Sequence, residues 1–350
     1  MVATPRFVPN TAYLEGFGSE ALIQAISGAV AMLPEPPEAL AVALSGGVDS
    51  AMLAVHAASF ARQHALPLHF FHIHHGLQDM AGQWSAHVHD LAQWLGVACH
   101  TLHVQVDLCN GDGMESAARD ARYHAFTQLA GQTGVRHILL AHHRNDQAET
   151  VLLRLLRGAG PGGLAAMSPS MQRQGITYLR PWLDVDRSVI LTLGRQFYDL
   201  SGWQAVHDST NADDKYTRAA VRERLAPALN ERWPGWQANL ARHARLSAQA
   251  QQVLDEVAGQ DFAALDPSSD SSDFSLKAWR ELSPARQALV LRYWLAQLGQ
   301  RMPTEARLQD LMRQLRGLHA LGHDRHMRVK HGAVWIYAIK GRVSLRVQSE

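Results

Sequence analysis

The stretch "ALSGGVDSAML" (residues 43–53) decides the fold, because two glycines join an apolar run to a helix-like run there. The run before it, "ALAVALS" (39–45), has the length and apolar character of a buried strand. Glycines permit a tight turn and let an anion approach the backbone amides. The N-terminus of the following helix presents unpaired N–H groups and the positive end of its dipole. The stretch therefore predicts a strand–loop–helix site for phosphate.

The loop differs from the Walker P-loop, G-x-x-x-x-G-K-[ST], because it has no lysine to reach a γ-phosphate. It favours a site that holds a pyrophosphate as one unit, with cleavage between the α- and β-phosphates. Asp49 is the predicted Mg²⁺ ligand, since the metal offsets phosphate charge during in-line attack. A purely structural glycine turn is the alternative. The predicted ATP-binding residues of the loop are Ser45, Gly46, Gly47, Val48, Asp49 and Ser50.

Short apolar runs alternate with longer helix-like segments from residue 39 to about 157. This order is typical of βαβ units and predicts a parallel sheet covered on both faces. The predicted strands are 39–45, 68–75, 99–106, 137–143 and 176–183, and the predicted helices are 19–32, 49–64, 82–95, 114–131, 145–156 and 186–200.

The pattern changes past about residue 205. We predict an α/β domain at 1–215 and a smaller, mainly helical domain with a basic hairpin at 216–350. The hairpin is expected to turn near Lys340. Within the second domain we predict helices at 217–259, 283–299 and 304–318, a polar loop without strands at 266–273, and the hairpin at 326–347.

Charge is unevenly distributed although the net charge is only +1. Residues 301–350 carry ten lysines and arginines against four acids, which suggests a polyanionic partner or an ordinary solvated face. No apolar run approaches the roughly 20 residues of a membrane span, and the N-terminus lacks a signal-peptide pattern. Cys99 and Cys109 fit neither a disulfide framework nor a zinc site, which suits a reducing compartment. A cytoplasmic location without membrane contact is therefore predicted.

Two further stretches place candidate ligands near the loop. "HIHHGLQ" (72–78) ends the second predicted strand, where open α/β sheets bind ligands, so His75 and Gly76 are candidate nucleotide contacts. In "MESAARDARYHAF" (114–126), Arg119 and Arg122 are three residues apart on one helix face and can reach the same anion.

The string "LLAHHRNDQAET" (139–150) adds a pair of acids. Asp146 and Glu149 lie on one helix face directly after a predicted strand, so they open toward the same edge of the sheet. Such a pair binds Mg²⁺ or a cationic substrate, or it simply occupies the first helical turn. His142, four residues before Asp146, is a candidate contact for a base or a phosphate.

The whole set of motifs resembles a known family. "SGGVDS" (45–50) is similar to the PP-loop signature of the N-type ATP pyrophosphatases, which adenylate a carbonyl oxygen and release pyrophosphate. Ala219 departs from the family's usual Arg-Asn pair, and Gln78 stands where an arginine is frequent. The stretches "HIHHGLQ", "MESAARDARYHAF", "AHHRNDQAET", "RGAGPGGLAAM", "LRPWLDVDR" and "HDSTNADDKYTRAAVRERLAPAL" resemble blocks of the bacterial tRNA(Ile)-lysidine synthetases over roughly residues 38–240, and more loosely to the end.

The resemblance implies an adenine nucleotide alpha hydrolase-like (Rossmann-like) fold and an ATP-dependent carbon–nitrogen ligase. Such an enzyme joins L-lysine to C2 of the cytidine at the first anticodon position of the CAU-anticodon isoleucine tRNA, releasing AMP and pyrophosphate. It also implies a possible homodimer and lysine binding by Asp146 and Glu149. The implied catalytic residues are Asp49, Arg122, His142, Asp146, Glu149 and Arg222, and the implied tRNA-binding residues are Arg218, Arg222, Arg325, Arg328 and Lys330.

Three alternatives remain open. A PP-loop tRNA thiolase would need paired cysteines, and Cys99 and Cys109 form no C-x-x-C motif. An amidotransferase-type synthetase of a small molecule would need an ammonia source and gives no reason for a basic C-terminal region. A non-catalytic nucleotide- or RNA-binding homologue is compatible with the missing asparagine, but the candidate catalytic residues are all present.

Overall fold

The computed structural model describes residues 17–74, 81–104, 114–206, 217–318 and 326–347. The chain divides into two compact units, Met1–Leu246 and Ser247–Glu350. The first unit therefore continues past the predicted boundary at 215/216. The physical reason is that Arg218 and Arg222 hydrogen-bond to side chains of the sheet domain. In the described part of the chain, no helix combines the length and apolarity that a bilayer crossing requires.

The first unit is built on a six-stranded sheet in the order β3-β2-β1-β4-β6-β5. All pairings are parallel except that of β5 with β6, so the predicted parallel α/β fold is confirmed. The strand β1 lies between β2 and β4, and the strand order reverses there. Open sheets bind ligands at the carboxyl end of such a switch point. The strands are β1 (Leu40–Ala43), β2 (Leu68–His74), β3 (Ala98–His103), β4 (His137–Leu139), β5 (Ser170–Arg173) and β6 (Ile176–Leu179).

Helices cover both faces of this sheet, as the alternating pattern predicted. Successive residues of a strand face opposite sides, so Val42 packs in one apolar cluster and Ala41 in another. Phe70 and Phe71 divide in the same way. The helices of the first unit are α1 (Glu20–Ala31), α2 (Val48–Gln63), α3 (Ala81–Leu95), α4 (Met114–Thr133), α5 (Arg144–Leu156), α6 (Pro161–Leu164), α7 (Arg187–Ser201), α8 (Thr217–Ala220) and α9 (Ala226–Arg232).

Two local features of the first unit differ from prediction. The edge strand β5 was not predicted, because "SMQR" lacks the β-branched and aromatic residues typical of strands. The helix predicted at 217–259 is interrupted. A π-helical turn, Val221–Leu225, separates α8 from α9, and the chain breaks again at Pro234 and Gly235 before α10 (Trp236–Ala263). Proline and glycine both disfavour a continuous helix.

The second unit packs helices on one face of an antiparallel sheet in the order β7-β10-β9-β8. The predicted basic hairpin is present as β9–β10 and turns at Lys340 and Gly341, whose φ values are 49° and 78°. The strand β8 pairs with β9 on the other side, so residues 326–347 form a three-stranded antiparallel meander and not a single hairpin. The polar loop predicted at 266–273 reaches β7 at its last residue, Asp273, and β7 buries the following Phe274. The elements are β7 (Asp273–Ser275), α11 (Leu276–Glu281), α12 (Pro284–Gln297), α13 (Glu305–Gly317), β8 (Met327–His331), β9 (Val334–Ile339) and β10 (Arg342–Val347).

Candidate active site

The glycine loop leaves β1 and enters α2 through a turn that requires Gly46. Its φ is +90°, and a Cβ at this position would lie 3.2 Å from a methyl group of Val88. The Ser50 hydroxyl donates to the Gly47 carbonyl at 2.9 Å and accepts from the Ser45 N–H at 3.2 Å, so Ser50 braces the loop. Gly47 caps α2 without a side-chain hydrogen bond, which leaves first-turn N–H groups for an anion.

Asp49 lies in the first turn of α2, next to Val48, which packs against the core. Its carboxylate accepts two hydrogen bonds from Arg187 at the start of α7, at 3.3 Å from Nε and 3.2 Å from Nη2. Nε2 of His143 lies 3.6 Å from Oδ1 of Asp49. Burial by itself raises the pKa of Asp49, but the His143 ring and the Arg187 guanidinium outweigh it and hold the pKa below the ordinary aspartate value.

The predicted acid pair is brought together on α5 and is already bridged by a cation. Arg222, in the π-helical turn, donates to Glu149 at 2.7 and 2.8 Å and to Asp146 at 3.3 Å. The side chains of Asp146 and Glu149 are only 12% and 7% exposed, whereas that of Arg222 is 28% exposed. Burial lowers the pKa of Arg222, but the two carboxylates raise it above the ordinary arginine value. The geometry defines a nearly buried acidic site for a cationic group.

His143 connects this acid pair to Asp49. The N–H of Asp146 donates to Nδ1 of His143 at 3.3 Å, and the Asp146 carboxylate accepts from the His143 N–H at 3.1 Å. This reciprocal capping fixes the start of α5. Because Nδ1 accepts, Nε2 carries the proton of the neutral ring. That nitrogen lies 3.4 Å from Asp146 and 3.6 Å from Asp49, so it faces both carboxylates.

His142, the predicted catalytic histidine, lies beside a group of arginines. Its Nδ1 is buried and has no hydrogen-bond partner among the described residues. Burial lowers the pKa of His142 to about 3, and Arg180, Arg218 and Arg119 contribute to the lowering against the opposing effect of Asp146. His142 is therefore neutral near pH 7.

Arg122 and Arg218 belong to the same positively charged group. Nη2 of Arg218 donates to the Thr150 hydroxyl at 3.2 Å, which holds α8 against α5. Arg122 lies on α4, three residues after Arg119. Desolvation and the positive charges of Arg119 and Arg218 lower the pKa of Arg122. An anion placed among these guanidinium groups would relieve their repulsion, as the sequence predicted for this face of the helix.

The surroundings of Asp49 fit Mg²⁺ only together with a nucleotide. Within the described residues, no group of three or more His, Cys, Asp or Glu side chains is arranged to hold a metal ion. Mg²⁺ in nucleotide sites is bound by one or two carboxylates and by substrate phosphates, so a complete protein cage is not needed. Asp49 follows the glycine loop directly and meets that requirement.

Comparison with known proteins identifies the family. A PP-loop domain family matches residues 21–229, and the TilS substrate binding domain matches residues 274–343. A tRNA(Ile)-lysidine synthase of Bordetella bronchiseptica is 57% identical over 92% of this chain and 94% of the relative. That of Polaromonas naphthalenivorans is 40% identical over 84% of this chain and 86% of the relative. The chain belongs to the tRNA(Ile)-lysidine synthase family.

A solved structure supports the fold. A tRNA thiolase, NcsA, from Methanococcus maripaludis matches 68% of this chain and 81% of its own, with a TM-score of 0.53 and 14% identity. Ala219, which departs from the family's usual Arg-Asn pair, is buried.

Among the lysidine synthase candidates, His75, Gly76 and Arg325 lie outside the described residues. Arg328 and Lys330 belong to the second unit. Sequence reasoning missed two functional candidates: Arg187, which ends the block "LRPWLDVDR", and His143, which follows His142 in "AHHRND". No signal in the local sequence shows that Arg187 reaches Asp49. For His143 the available signal was its position as the N-cap of α5, three residues before Asp146, and the adjacent His142 drew attention away from it.

Proposed function

We propose that this chain ligates L-lysine to C2 of the cytidine at the first anticodon position of the CAU-anticodon isoleucine tRNA. ATP adenylates the cytidine oxygen with release of pyrophosphate, and the lysine ε-amine then displaces AMP to form lysidine. The observation that supports this most is the nearly buried acid pair Asp146–Glu149, which binds a guanidinium beside the glycine loop. A site that accepts one nitrogen cation is suited to a lysine side chain.

The adenylation step uses the glycine loop. The amides at the start of α2 and the Ser45 hydroxyl hold the β- and γ-phosphates, so the cytidine oxygen attacks the α-phosphorus and pyrophosphate leaves. Asp49 would hold Mg²⁺, which offsets the charge of the phosphates. Arg122 and His142 would contact the α-phosphate or the adenylated base. Adenylation is needed because a carbonyl oxygen is a poor leaving group from the ring, whereas AMP is a good one.

The ligation step uses the acid pair. Lysine arrives as an ammonium ion, and Asp146 and Glu149 place it and favour loss of a proton to give the attacking amine. In the structure the Arg222 guanidinium is bound to both acids, so the lysine ammonium competes with it for carboxylate oxygens. Once displaced from one acid, Arg222 would be free to bind the phosphate of the adenylated intermediate or the tRNA. Arg218 is proposed to contact the same groups.

Binding of the tRNA rests on charge. The tRNA is a polyanion, so arginines and lysines must neutralise its phosphates, and the target base must leave its stack to be modified. Arg325, Arg328 and Lys330 are the proposed contacts of the second unit. A tRNA substrate also implies that the protein acts in the cytoplasm, and the proposed homodimer can be tested by sedimentation.

The thiolase alternative is not favoured. Cys99 is an unpaired thiol in β3, and burial raises its pKa to about 12, so it is not a thiolate at neutral pH. The likeness to the solved thiolase concerns the fold. A non-catalytic homologue is not favoured either, because Asp49, Asp146 and Glu149 converge as a site with His143.

Lysine incorporation tests the proposal directly. Purified protein is incubated with ATP, Mg²⁺, labelled lysine and the CAU-anticodon isoleucine tRNA. We expect label to enter this tRNA and not the methionine tRNA with the same anticodon. The assignment would be contradicted if all the labelled lysine stayed unattached to tRNA, or if both tRNAs were labelled equally.

A further inference from the structure

The outer face of the second unit's sheet carries arginines interleaved with aromatic rings. Alternation along the strands places Arg328 and Lys330 of β8, Trp335 and Tyr337 of β9, and Arg346 of β10 on one side. The register sets Arg328 opposite Tyr337, and sets both Lys330 and Arg346 opposite Trp335. We call these five residues the aromatic–arginine face.

The other side of the sheet is filled. Met327, Ile336, Ala338 and Val343 pack with α12 and α13 in the buried core of the second unit. The three strands of the aromatic–arginine face contain no aspartate or glutamate, since residues 327–347 have none. Arg342, at the start of β10, pairs with Asp266 and Asp273 instead. The face is therefore a basic surface whose own strands carry no acid to neutralise it.

Aromatic rings hold two of these arginines in position. The guanidinium carbon of Arg328 lies 3.8 Å from the centre of the Trp335 ring and 5.8 Å from that of Tyr337. The guanidinium carbon of Arg346 lies 5.5 Å from the centre of the Tyr337 ring. A guanidinium that stacks on a ring keeps its N–H donors in its own plane, where they can bind a phosphate. Stacking also reduces the rotamer freedom that is lost on binding.

We propose that Trp335 and Tyr337 are positioning residues that hold Arg328 and Arg346 as preformed forks for phosphates of the RNA backbone. The inference rests on the proposed function, which makes tRNA the partner. The argument for an RNA backbone is the match of a basic face, whose strands β8, β9 and β10 carry no acid, to a polyanion, with guanidinium forks that fit phosphate. The rings act through the arginines and do not stack on bases themselves.

Salt-dependent tRNA binding by the full chain tests this mechanism. Arg328→Ala removes one phosphate contact, so affinity falls several-fold and the slope of log K against log salt is reduced by about 1. Trp335→Leu keeps the charge and loses the stacking, so affinity falls about two- to fivefold with little change in slope. The double variant Arg328→Ala/Trp335→Leu is expected to bind no more weakly than Arg328→Ala, because the ring has no arginine left to position.

Matched control variants separate the proposed positioning effect from a general loss of charge, of an aromatic ring or of folding. Trp335→Phe keeps a ring and should retain most of the affinity, and Arg328→Lys keeps the charge without the planar fork and should resemble Trp335→Leu. Arg307→Ala, on the exposed side of α13, should bind as the wild type does. Circular dichroism melting confirms that each variant is folded.

Three outcomes would overturn the proposal: additive losses in the double variant, which indicate base stacking by Trp335; no loss in Trp335→Leu; or an equal loss in Arg307→Ala. Failure of the proposed function is distinguishable. A chain that makes no lysidine, yet binds tRNA with the expected pattern, contradicts the reaction and leaves the aromatic–arginine face in place.

Discussion

Two pairs of arginines, Arg187 with Arg222 in the first unit and Arg328 with Arg346 in the second, are held in opposite ways. In the first unit, Arg187 and Arg222 lie against carboxylates, each making two or more hydrogen bonds to an acid. In the second unit, Arg328 and Arg346 lie over aromatic rings on strands that contain no acid. An arginine paired with an acid is released only by a competing charge. An arginine stacked on a ring is held in place while its charge remains available to a partner.

The two arrangements predict different effects of arginine substitution on stability and on binding. Removing a paired arginine leaves acids in a poorly hydrated site, which affects folding and catalysis together. Removing a stacked arginine takes away surface charge and affects binding alone.

The largest effect is expected for Asp49→Asn. The variant keeps the shape of the side chain but loses the charge that Arg187 and the proposed Mg²⁺ require. We expect adenylation and pyrophosphate release to fall by about 10³-fold or more. Pyrophosphate release under single-turnover conditions measures the loss. Asp199→Asn, on the exposed side of α7, is the matched control and should retain full activity.

The second prediction separates the two steps of the reaction at the acid pair. In Asp146→Asn we expect adenylated tRNA to accumulate while lysine transfer is lost, because the carboxylate serves to place the ammonium. Rapid-quench separation of the adenylate from lysidine measures both. Loss of both steps would instead assign Asp146 to the metal, and normal transfer would remove it from the site.

The third prediction concerns stability. Arg222→Gln leaves Asp146 and Glu149 without their cation, so the free energy of unfolding should fall by about 2 kcal/mol. This is less than the roughly 3–5 kcal/mol for breaking a fully buried pair, because Arg222 is partly exposed. Urea denaturation measures it. Arg328→Ala should change the same quantity by less than about 0.5 kcal/mol. Equal destabilisation by both variants would contradict the proposed difference between an arginine paired with acids and an arginine stacked on a ring.

The smallest expected effect is on the pH dependence of stability. Burial lowers the pKa of His56, whose Nε2 accepts a hydrogen bond from the Ser19 N–H at 3.0 Å. A histidine with a lowered folded-state pKa stabilises the fold above its unfolded pKa of about 6.5, and stability falls as pH drops below that value. Thermal melting from pH 7.5 to 5.5 should show the decrease.

Two variants test whether His56 causes the decrease in stability at low pH. His56→Gln should reduce it, and His64→Gln, at the exposed end of α2, should not. A pH dependence unchanged by His56→Gln would place the acid sensitivity elsewhere.

Contacts between residues close together in the sequence were predictable, and contacts between residues far apart in the sequence were not. The glycine loop was predictable because its strand, turn and helix are consecutive in the sequence. The proximity of Asp146 and Glu149 was predictable because residues three apart lie on the same face of a helix. The pairing of Asp49 with Arg187 was not predictable, because it joins the start of α2 to the start of α7. The stacking of Arg328 on Trp335 was hidden for a similar reason, since alternation gives the face but not the register.

The central claim is that the glycine loop holds the two outer phosphates of ATP, so that reaction occurs at the innermost one. Product analysis tests it most directly. The chain is supplied with ATP labelled on the α- or the γ-phosphate, together with lysine and the CAU-anticodon isoleucine tRNA, and the products are separated. The account predicts AMP and pyrophosphate in amounts equal to the lysidine formed. ADP and orthophosphate would contradict it.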